Sequence, residues 1–353
     1  MNRRNFLQKA TAFSAAGLLS QTISSQTLSN PGSKSPTIKP NRLKEGDKIG
    51  LIAPGFQITE EQLENSIQNL KIFGFQAVYS SRLLEKFGYF SGTDQSRAND
   101  INEFFANPEI KGIMAIKGGY GSARILNLLD YQTIRKNPKA LIGFSDVTAL
   151  LNAIYQETGL ITFHGPVSQT IYRDYNAMQF RRILMNPEDT TLIESSPDDL
   201  ILSLENPEYA RYTITAGQAE GLLAGGNLSV LVSTTGTKYQ LDGKGKLLFI
   251  EDIDEEPYRI DRMLTQLIES KIMQEANGIM FGICKGCNIS KNQIPDSFSL
   301  REVIENRIKP LGIPACYGLS FGHNIHNFTL PVGMNAELDT EKMTVKLTEK
   351  AVL

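Results

Sequence analysis

Gly112-Ile-Met-Ala-Ile116, followed by the turn Lys117-Gly-Gly-Tyr-Gly121, is the first of two apolar runs that indicate the fold. The second is Ala140-Leu-Ile-Gly-Phe144, followed by the turn Ser145-Asp146. Each apolar run predicts a strand, and the residues after each turn predict a helix. Two successive strand–turn–helix units predict a parallel sheet with helices on its faces. Ligands bind such sheets at the carboxyl ends of the strands, which is where both turns lie.

The residues before these units continue the same alternation. Residues 47–53 predict a strand that ends at Pro54-Gly55, and a helical pattern begins at Thr59. Residues 75–79 predict a second strand, and residues 98–105 predict a helix. We therefore predict an α/β N-terminal domain over residues 41–190.

A chain of 353 residues is longer than one compact core usually holds, so two domains are expected. Three prolines, Pro187, Pro197 and Pro207, interrupt regular structure, and we predict an interdomain linker over 191–211. Residues 212–353 predict a second, smaller α/β domain. Its predicted elements are strands at 245–250, 278–283 and 343–347 and a helix at 256–268.

The first 40 residues are interpreted as an export signal and linker. Arg3 and Arg4 precede an apolar run over 10–19, an order typical of a twin-arginine signal. The run is too short to span a bilayer, so no stable membrane anchor is expected. We predict an exported, periplasmic protein. The alternative, a merely basic N-terminus, would leave it in the cytoplasm.

Composition excludes several classes of function. The 36 basic and 38 acidic residues leave no excess charge to neutralise a phosphate backbone, so nucleic acid is not an expected partner. Cys284 and Cys287 have CxxC spacing but lack the second pair of a zinc ribbon. We interpret them as small residues near a strand end, with a disulfide as the alternative. The His323 and His326 pair has no carboxylate or cysteine nearby in the sequence to complete a site, so metal binding is the weaker interpretation.

Two turns at the sheet edge carry candidate chemistry. Ser145 lies between a predicted strand and a predicted helix, where a hydroxyl can act as a nucleophile beside amide donors. The local motif alone favours a plain helix cap instead. The glycines of the 117–121 turn can bring backbone amides close to a carboxylate, phosphate or oxyanion, or serve the turn alone.

A carboxylate and two histidines complete the candidates. Glu251 directly follows an apolar strand, so we expect it to be partly buried and paired, and a histidine is a natural partner. His323 follows a glycine in a predicted loop, and residues 327–331 behind it predict a strand. His164 could line a pocket at another strand end.

Taken together, these segments resemble the LD-carboxypeptidase family, which includes the microcin C self-immunity peptidases. No single stretch is specific, but their order is. The resemblance covers the chain from about residue 44 onward and rests on Ile116-Lys-Gly-Gly-Tyr-Gly-Ser-Ala-Arg124, Ile142-Gly-Phe-Ser-Asp-Val-Thr-Ala149, His164-Gly-Pro166, Gly225-Gly-Asn-Leu-Ser229, Phe249-Ile-Glu-Asp252 and Gly322-His323. It implies a Rossmann-like (flavodoxin-like) parallel-sheet domain, a C-terminal domain with its own sheet, and a homodimer.

The resemblance also implies a serine peptidase mechanism, which needs no metal and no cofactor. Ser145 would be the nucleophile, His323 the general base and Glu251 the residue that orients it. The amides of Asp146 and Gly119 would form the oxyanion hole.

The implied substrate is a peptidoglycan-derived murein tetrapeptide that loses its terminal D-alanine. Candidate substrate contacts are Gly118, Tyr120, His164 and Arg259. Arg259, Arg124 and Arg262 are the candidate cations that would pair with the free carboxylate of the terminal D-residue. Alternatives are a self-immunity amidase acting on a peptide-nucleotide, and a periplasmic ligand-binding protein without catalysis. A nucleotide-dependent oxidoreductase would need a dinucleotide fingerprint after the first strand, where Ala53-Pro-Gly-Phe56 stands instead.

Overall fold

The computed structural model describes residues 36–170, 172, 174–288 and 296–353, and the predicted twin-arginine signal lies outside them. Its strands, in chain order, are β1 (Lys48–Ile52), β2 (Gln76–Val78), β3 (Ile110–Ala115), β4 (Ala140–Gly143), β5 (Thr162–His164), β6 (Thr191–Ile193), β7 (Tyr212–Thr215), β8 (Gln218–Asn227), β9 (Lys246–Glu251), β10 (Gly278–Gly282), β11 (Ala315–Leu319), β12 (Leu330–Val332), β13 (Asn335–Asp339) and β14 (Thr344–Leu347).

The α-helices alternate with these strands through most of the chain. They are α1 (Glu60–Lys71), α2 (Asp94–Ala106), α3 (Tyr131–Lys136), α4 (Thr148–Thr158), α5 (Asp174–Leu184), α6 (Pro197–Glu205), α7 (Leu228–Ser233), α8 (Pro257–Glu269) and α9 (Leu300–Ile308). Within the described part of the chain, none is long and apolar enough to cross a membrane.

The first sheet has the order β12-β5-β4-β3-β1-β2. Strands β1 to β5 are parallel, as predicted, and β12 runs antiparallel to β5 at one edge. The order of the five parallel strands is that of flavodoxin-like folds. It places the carboxyl ends of β3 and β4 side by side, so the two turns that follow them meet.

The second sheet has the order β6-β14-β13-β8-β9-β10-β11-β7. Its central strands β8, β9, β10 and β11 are parallel, and antiparallel strands flank them on both sides. Both strands that carry site residues here, β8 and β9, are therefore central. The predicted α/β class with a second sheet is confirmed.

The predicted domain boundaries remain a prediction, but two strands cross them. The 191–211 segment, expected to be a linker, contains β6 and α6, and β6 pairs with β14. Strand β12, from the C-terminal part, pairs with β5 of the first sheet. Each crossing strand has only three residues, too few for a periodic pattern to show which sheet it joins. The described residues form one compact unit.

Local signals explain where several elements begin. Thr59 caps α1 in a capping box with Gln62, which confirms the predicted helix start. Pro257 occupies the first turn of α8, where its missing N–H costs nothing. The helix predicted after Gly121 forms as a 3₁₀ helix over Ser122–Leu128. The strand predicted at 327–331 is the later and shorter β12.

Candidate active site

Ser145 stands on a strained turn between β4 and α4. Its φ is 63°, in the left-handed region that residues other than glycine seldom occupy. A 3₁₀ turn, Ser145–Val147, joins it to α4, and no side chain caps either helix start. The interpretation of Ser145 as a helix cap is therefore wrong. Its hydroxyl instead lies 3.0 Å from Nε2 of His323.

His323 and Glu251 continue the chain of hydrogen bonds. Nδ1 of His323 lies 2.7 Å from Oε2 of Glu251, which ends strand β9 and is fully buried. The preceding Gly322 has φ 97°, and a Cβ there would lie 2.6 Å from the same carboxylate oxygen. Only glycine lets the loop approach Glu251 this closely.

The three predicted residues thus meet in one Ser–His–Glu arrangement. Such geometry positions an imidazole to take the hydroxyl proton, with the carboxylate holding the ring in the correct tautomer. A protein that only binds a ligand has no need of this arrangement, so that alternative loses its support.

The two ionisable partners shift each other's pKa. Burial acts to lower the pKa of His323, but the charge and hydrogen bond of Glu251 outweigh it, so the pKa is raised above its usual 6.5. Burial acts to raise the pKa of Glu251, and the facing His323 reverses this to a net lowering. The pair therefore favours an ionised carboxylate beside a strengthened base.

The glycine-rich turn after β3 packs directly against the serine. A Cβ on Gly118 would lie 2.8 Å from Oγ of Ser145 and 3.2 Å from the amide nitrogen of Asp146. The buried carboxylate of Asp146 accepts hydrogen bonds from the amides of Gly121 (3.2 Å) and Ser122 (2.8 Å). One residue thus offers its own amide beside Ser145 and fixes the neighbouring turn with its side chain.

Arg97, which was not among the residues predicted from the sequence, supports the glycine turn through one of the turn's backbone carbonyls. Its guanidinium is buried, donates to the carbonyl oxygens of Pro54 and Gly121, and pairs with Asp94. Asp94 in turn pairs with Arg124, whose guanidinium contacts both carboxylate oxygens. Arg124 is thereby committed to a structural contact, which weakens its candidacy for the substrate carboxylate.

Polar contacts lock the serine-bearing helix onto the second sheet. Thr148 of α4 accepts a hydrogen bond from the amide of Asn227 at the end of β8, at 3.0 Å. Asn152, one turn later, donates to the carbonyl of Gly225 at 2.9 Å. These contacts hold Ser145 in register with Glu251 on the adjacent strand β9. Thr148 lies in the Ile142–Ala149 stretch of the resemblance, which was its only signal, and Asn152 was missed because it does not differ locally from an ordinary helix residue.

Asp252 belongs to a buried cluster of polar side chains next to Glu251. Its carboxylate accepts from the side chain of Asn227 and from the amide and hydroxyl of Ser229. Burial, followed by the nearby charge of Glu251, raises its pKa to about 6. Asn227 and Ser229 lie in the Gly225–Ser229 stretch of the resemblance, which was the only signal for them.

His164 does not line the cleft, so its predicted substrate contact is wrong. The ring is fully buried, 5.1 Å from Phe249 and 6.2 Å from Phe321 between centroids, and burial lowers its pKa to about 4. Strand β5 has neighbours on both sides, and the ring packs against Phe249 of strand β9 in the second sheet.

The other predicted contacts remain accessible. Tyr120 is about half exposed and neighbours Tyr89 at 6.1 Å between ring centroids, and Phe56 packs against Tyr89 at 5.8 Å. These rings form an aromatic group beside the glycine turn, since a Cβ on Gly119 would touch Phe56. Arg259 is on the exposed side of α8 and pairs with Glu255 at 3.7 Å.

The cysteines and the pair of His323 and His326 belong to no group of potential metal ligands within the described residues. Cys284, Cys287 and Cys316 are free and buried, so the alternative of a disulfide does not hold in this structure. Burial raises the pKa of Cys287 to about 12, which leaves its thiol protonated and unreactive near neutral pH.

Comparisons with known proteins agree with this architecture. Residues 49–165 match the LD-carboxypeptidase N-terminal domain and residues 220–338 the LD-carboxypeptidase C-terminal domain. A probable murein peptide carboxypeptidase of Bacillus subtilis is 37% identical over 87% of this chain and 93% of its own length. The microcin C7 self-immunity protein of Escherichia coli is 30% identical over 87% of this chain and 95% of its own length.

A solved structure shares the fold over nearly the whole described chain. The MccF-like protein from Bacillus anthracis superposes with a TM-score of 0.77 at 30% identity, covering 89% of this chain and 100% of its own. The two matched domains, the two relatives and the solved MccF-like structure all indicate the same family. The chain therefore belongs to the LD-carboxypeptidase family, and it is a serine-type carboxypeptidase.

Proposed function

We propose that this carboxypeptidase releases the terminal D-alanine of murein tetrapeptides through a catalytic triad of Ser145, His323 and Glu251. The observation that supports it most is the unbroken chain of hydrogen bonds, 3.0 Å from Ser145 to His323 and 2.7 Å from His323 to Glu251. The name of the Bacillus subtilis relative, a probable murein peptide carboxypeptidase, supports the substrate class.

Acylation begins when Nε2 of His323 takes the hydroxyl proton of Ser145. Oγ attacks the carbonyl carbon of the third residue of the peptide, and negative charge moves onto the carbonyl oxygen. The amides of Asp146 and Gly119 stabilise this oxyanion, helped by the positive end of the helix that follows Ser145. His323 then gives its proton to the amine of D-alanine as the C–N bond breaks.

Deacylation repeats these steps with water. His323 takes a proton from a water molecule, whose oxygen attacks the ester carbonyl, and then returns a proton to Oγ of Ser145. The products are D-alanine and a tripeptide with a free carboxylate. The raised pKa of His323, which Glu251 sustains against burial, suits it to accept the first proton.

The aromatic group beside the glycine turn is the proposed contact for the body of the peptide. Phe56, Tyr89 and Tyr120 are each at least one third exposed, unusual for three neighbouring rings, and lie next to the proposed oxyanion donor Gly119. Exposed rings grouped beside a reactive serine favour a ligand that covers them. Arg259 remains a proposed partner for the terminal carboxylate.

Export favours the cell wall as the place of action. The twin-arginine pattern at Arg3 and Arg4 would carry a folded enzyme to the periplasm, where wall peptides are accessible. A self-immunity amidase would act on a peptide-nucleotide inside the cell. The similarity to the Escherichia coli microcin C7 self-immunity protein keeps that substrate class as the second candidate.

Mass spectrometry of purified murein tetrapeptide, digested by the wild type and by Ser145→Ala, tests the reaction. We expect free alanine and tripeptide from the wild type alone. Equal release by both proteins would remove Ser145 from its role. If only an aminoacyl sulfamoyl adenosine is cleaved, the second candidate replaces the first.

Export and assembly need separate measurements. Arg3→Lys with Arg4→Lys is expected to move the protein from the periplasmic to the cytoplasmic fraction, whereas an unchanged distribution would contradict the signal. Multi-angle light scattering of the purified protein tests the predicted homodimer, and the mass of one chain would refute it.

A further inference from the structure

The loop that carries His323 is tied to helix α6, outside the triad itself. Oδ2 of Asp199 accepts a hydrogen bond from the side chain of Asn324 at 2.6 Å, and its Oδ1 lies 2.8 Å from Nδ1 of His326. Asp199 is 1% exposed, so both contacts are shielded from water. The partners are the first and third residues after His323, so both contacts fix the chain just beyond the catalytic ring.

A second set of contacts holds the same loop from α5. The side-chain amide of Asn176 donates to the carbonyl of Ile325, and its oxygen accepts from the amide of Asn327, both at 2.9 Å. The amide of Gly322 donates to the side chain of Asn327 at 3.3 Å. Asn176 therefore fixes the backbone of the loop, whereas Asp199 fixes side chains that follow the catalytic histidine.

The apolar side chains on the outer face of α6 are exposed, so their burial contributes little to holding the helix in place. Leu200, Ile201 and Leu204 are all exposed, and Leu204 is 85% exposed. Asp199 is the buried residue of this nine-residue helix. Since burying a carboxylate is costly unless its oxygens are paired, these two contacts account for its position. The placement of α6 and that of the His323 loop are consequently coupled.

We propose that Asp199 is a positioning residue for His323, acting through Asn324 and His326. It touches no reacting atom. It holds the loop in the position in which Nε2 of His323 reaches Oγ of Ser145 while Nδ1 remains hydrogen-bonded to Glu251. The inference rests on the proposed function, since it needs His323 to act on Ser145, but it does not depend on which acyl group the enzyme transfers.

Other charged and titratable groups surround this contact. Asp198 of α6 lies 3.3 Å from Nε2 of His326 and is mostly exposed. Tyr175 of α5 stacks edge-on with His326 at 5.9 Å, and Arg211 interacts electrostatically with Asp199. Asp198 therefore offers a matched control, because it has the same chemistry, the same helix and the same histidine partner, without the burial.

The test compares Asp199→Asn with Asp198→Asn. Asparagine keeps the size of the side chain but has one acceptor oxygen in place of two and no charge. Its NH₂ group breaks the contact if it faces Asn324, and keeps the contact with Nδ1 of His326 only if that imidazole changes tautomer. Two readouts are used: alanine release from murein tetrapeptide, and the rate at which a fluorophosphonate labels Ser145. We expect Asp199→Asn to lower kcat and the labelling rate roughly 10- to 100-fold, the loss typical of a misplacement near 1 Å, with KM little changed.

A pH profile separates positioning from general loss of structure. If the ring of His323 moves off Glu251, it loses the interaction that raises its pKa, so the acid limb of kcat/KM shifts to lower pH in Asp199→Asn. Asp198→Asn is expected to keep the wild-type limb and a rate within about threefold of wild type, because this carboxylate is mostly exposed and its contact is correspondingly weak. A variant that is merely partly unfolded would keep the wild-type limb and lower only the amplitude.

Asn324→Ser provides a second route should Asp199→Asn fail to fold. It removes the donor to Oδ2 and leaves the contact with His326, so we expect a smaller loss of kcat in the same direction. Wild-type kcat, labelling rate and acid limb in the folded Asp199 or Asn324 variants would overturn the inference. If the wild type is labelled at Ser145 but releases no alanine, the murein substrate fails, while the labelling rates still decide the role of Asp199.

Discussion

Replacing Gly118 by alanine tests how closely the glycine turn supports Ser145. The added Cβ would lie 2.7 Å from Cβ and 2.8 Å from Oγ of Ser145, and 3.2 Å from the amide nitrogen of Asp146. Carbon atoms in contact prefer separations of about 3.5–4.0 Å, so the serine or the turn must move by roughly 1 Å. Gly118 does not have a positive φ, so the change introduces crowding rather than backbone strain.

The expected cost falls mainly on catalysis. A displacement of this size between nucleophile, base and oxyanion donor typically lowers kcat about 100-fold, which corresponds to about 2.7 kcal/mol in the activation free energy. KM is expected to change little, because the added methyl group displaces the reacting serine rather than the groups proposed to bind the peptide. Steady-state release of alanine from murein tetrapeptide, with fluorophosphonate labelling of Ser145, measures both quantities.

Gly112→Ala, on strand β3 just before the glycine turn, is the matched control. Its Cβ would meet the methyl ends of Ile49 and Leu43 at 3.1 Å, atoms that can shift by a few tenths of an ångström, and none of the triad. We expect a modest loss of stability and near-normal kcat. Wild-type kcat in Gly118→Ala, or equal losses of kcat in the two variants, would refute the close support of Ser145 by this turn.

Three further outcomes are expected. The rate kcat/KM should fall as pH drops through a midpoint above 6.5, because His323 must be neutral and its pKa is raised, and a midpoint below 6.5 would contradict this. Asp146→Asn should lower the free energy of unfolding by about 1–3 kcal/mol, measured by denaturant titration, because an NH₂ group would face the amides of Gly121 or Ser122. Tyr120→Ala should raise KM roughly 2- to 10-fold at unchanged kcat, and an unchanged KM would remove Tyr120 from substrate binding.

The proposed triad was predicted through the ordered family resemblance, and local signals only narrowed the candidates. Ser145 comes directly after a buried strand and before a helix, and Glu251 is the first acid after another buried strand. With only three histidines in the chain, the candidates for a base were few. For Ser145 the local motif favoured a helix cap, which is wrong, and only the ordered resemblance indicated a nucleophile.

His164 shows where local inference fails. It lies at the end of a strand, close to where Ser145 follows the neighbouring strand β4, and nothing in the sequence distinguishes a histidine that faces the cleft from one that is buried between two sheets. Partners that arrive from distant parts of the chain decide this: β12 covers the edge of β5, and Phe249 and Phe321 enclose the ring. The orientation therefore depends on packing, which periodicity does not record.

The segment 191–211 shows the same limit. Its prolines suggested a linker, and propensity alone gave no reason to expect a strand of three residues or a helix with an exposed apolar face. Asp199 gains its importance only from Asn324 and His326, which follow it by more than a hundred residues. Short elements are stabilised by their tertiary contacts rather than by their own sequence.

The alternation of strands and helices, the parallel character of the first sheet, and the residue types available for acyl transfer could all be inferred from the amino-acid sequence. These follow from interactions between neighbours in the chain, which periodicity and turn chemistry reveal. Which of these groups come into contact depends on the folded arrangement of the chain. Ser145 and His323 are 178 residues apart and Glu251 and His323 are 72 apart, so their contact depends on how two sheets pack. That packing is a cooperative property of the whole core, which no single segment encodes.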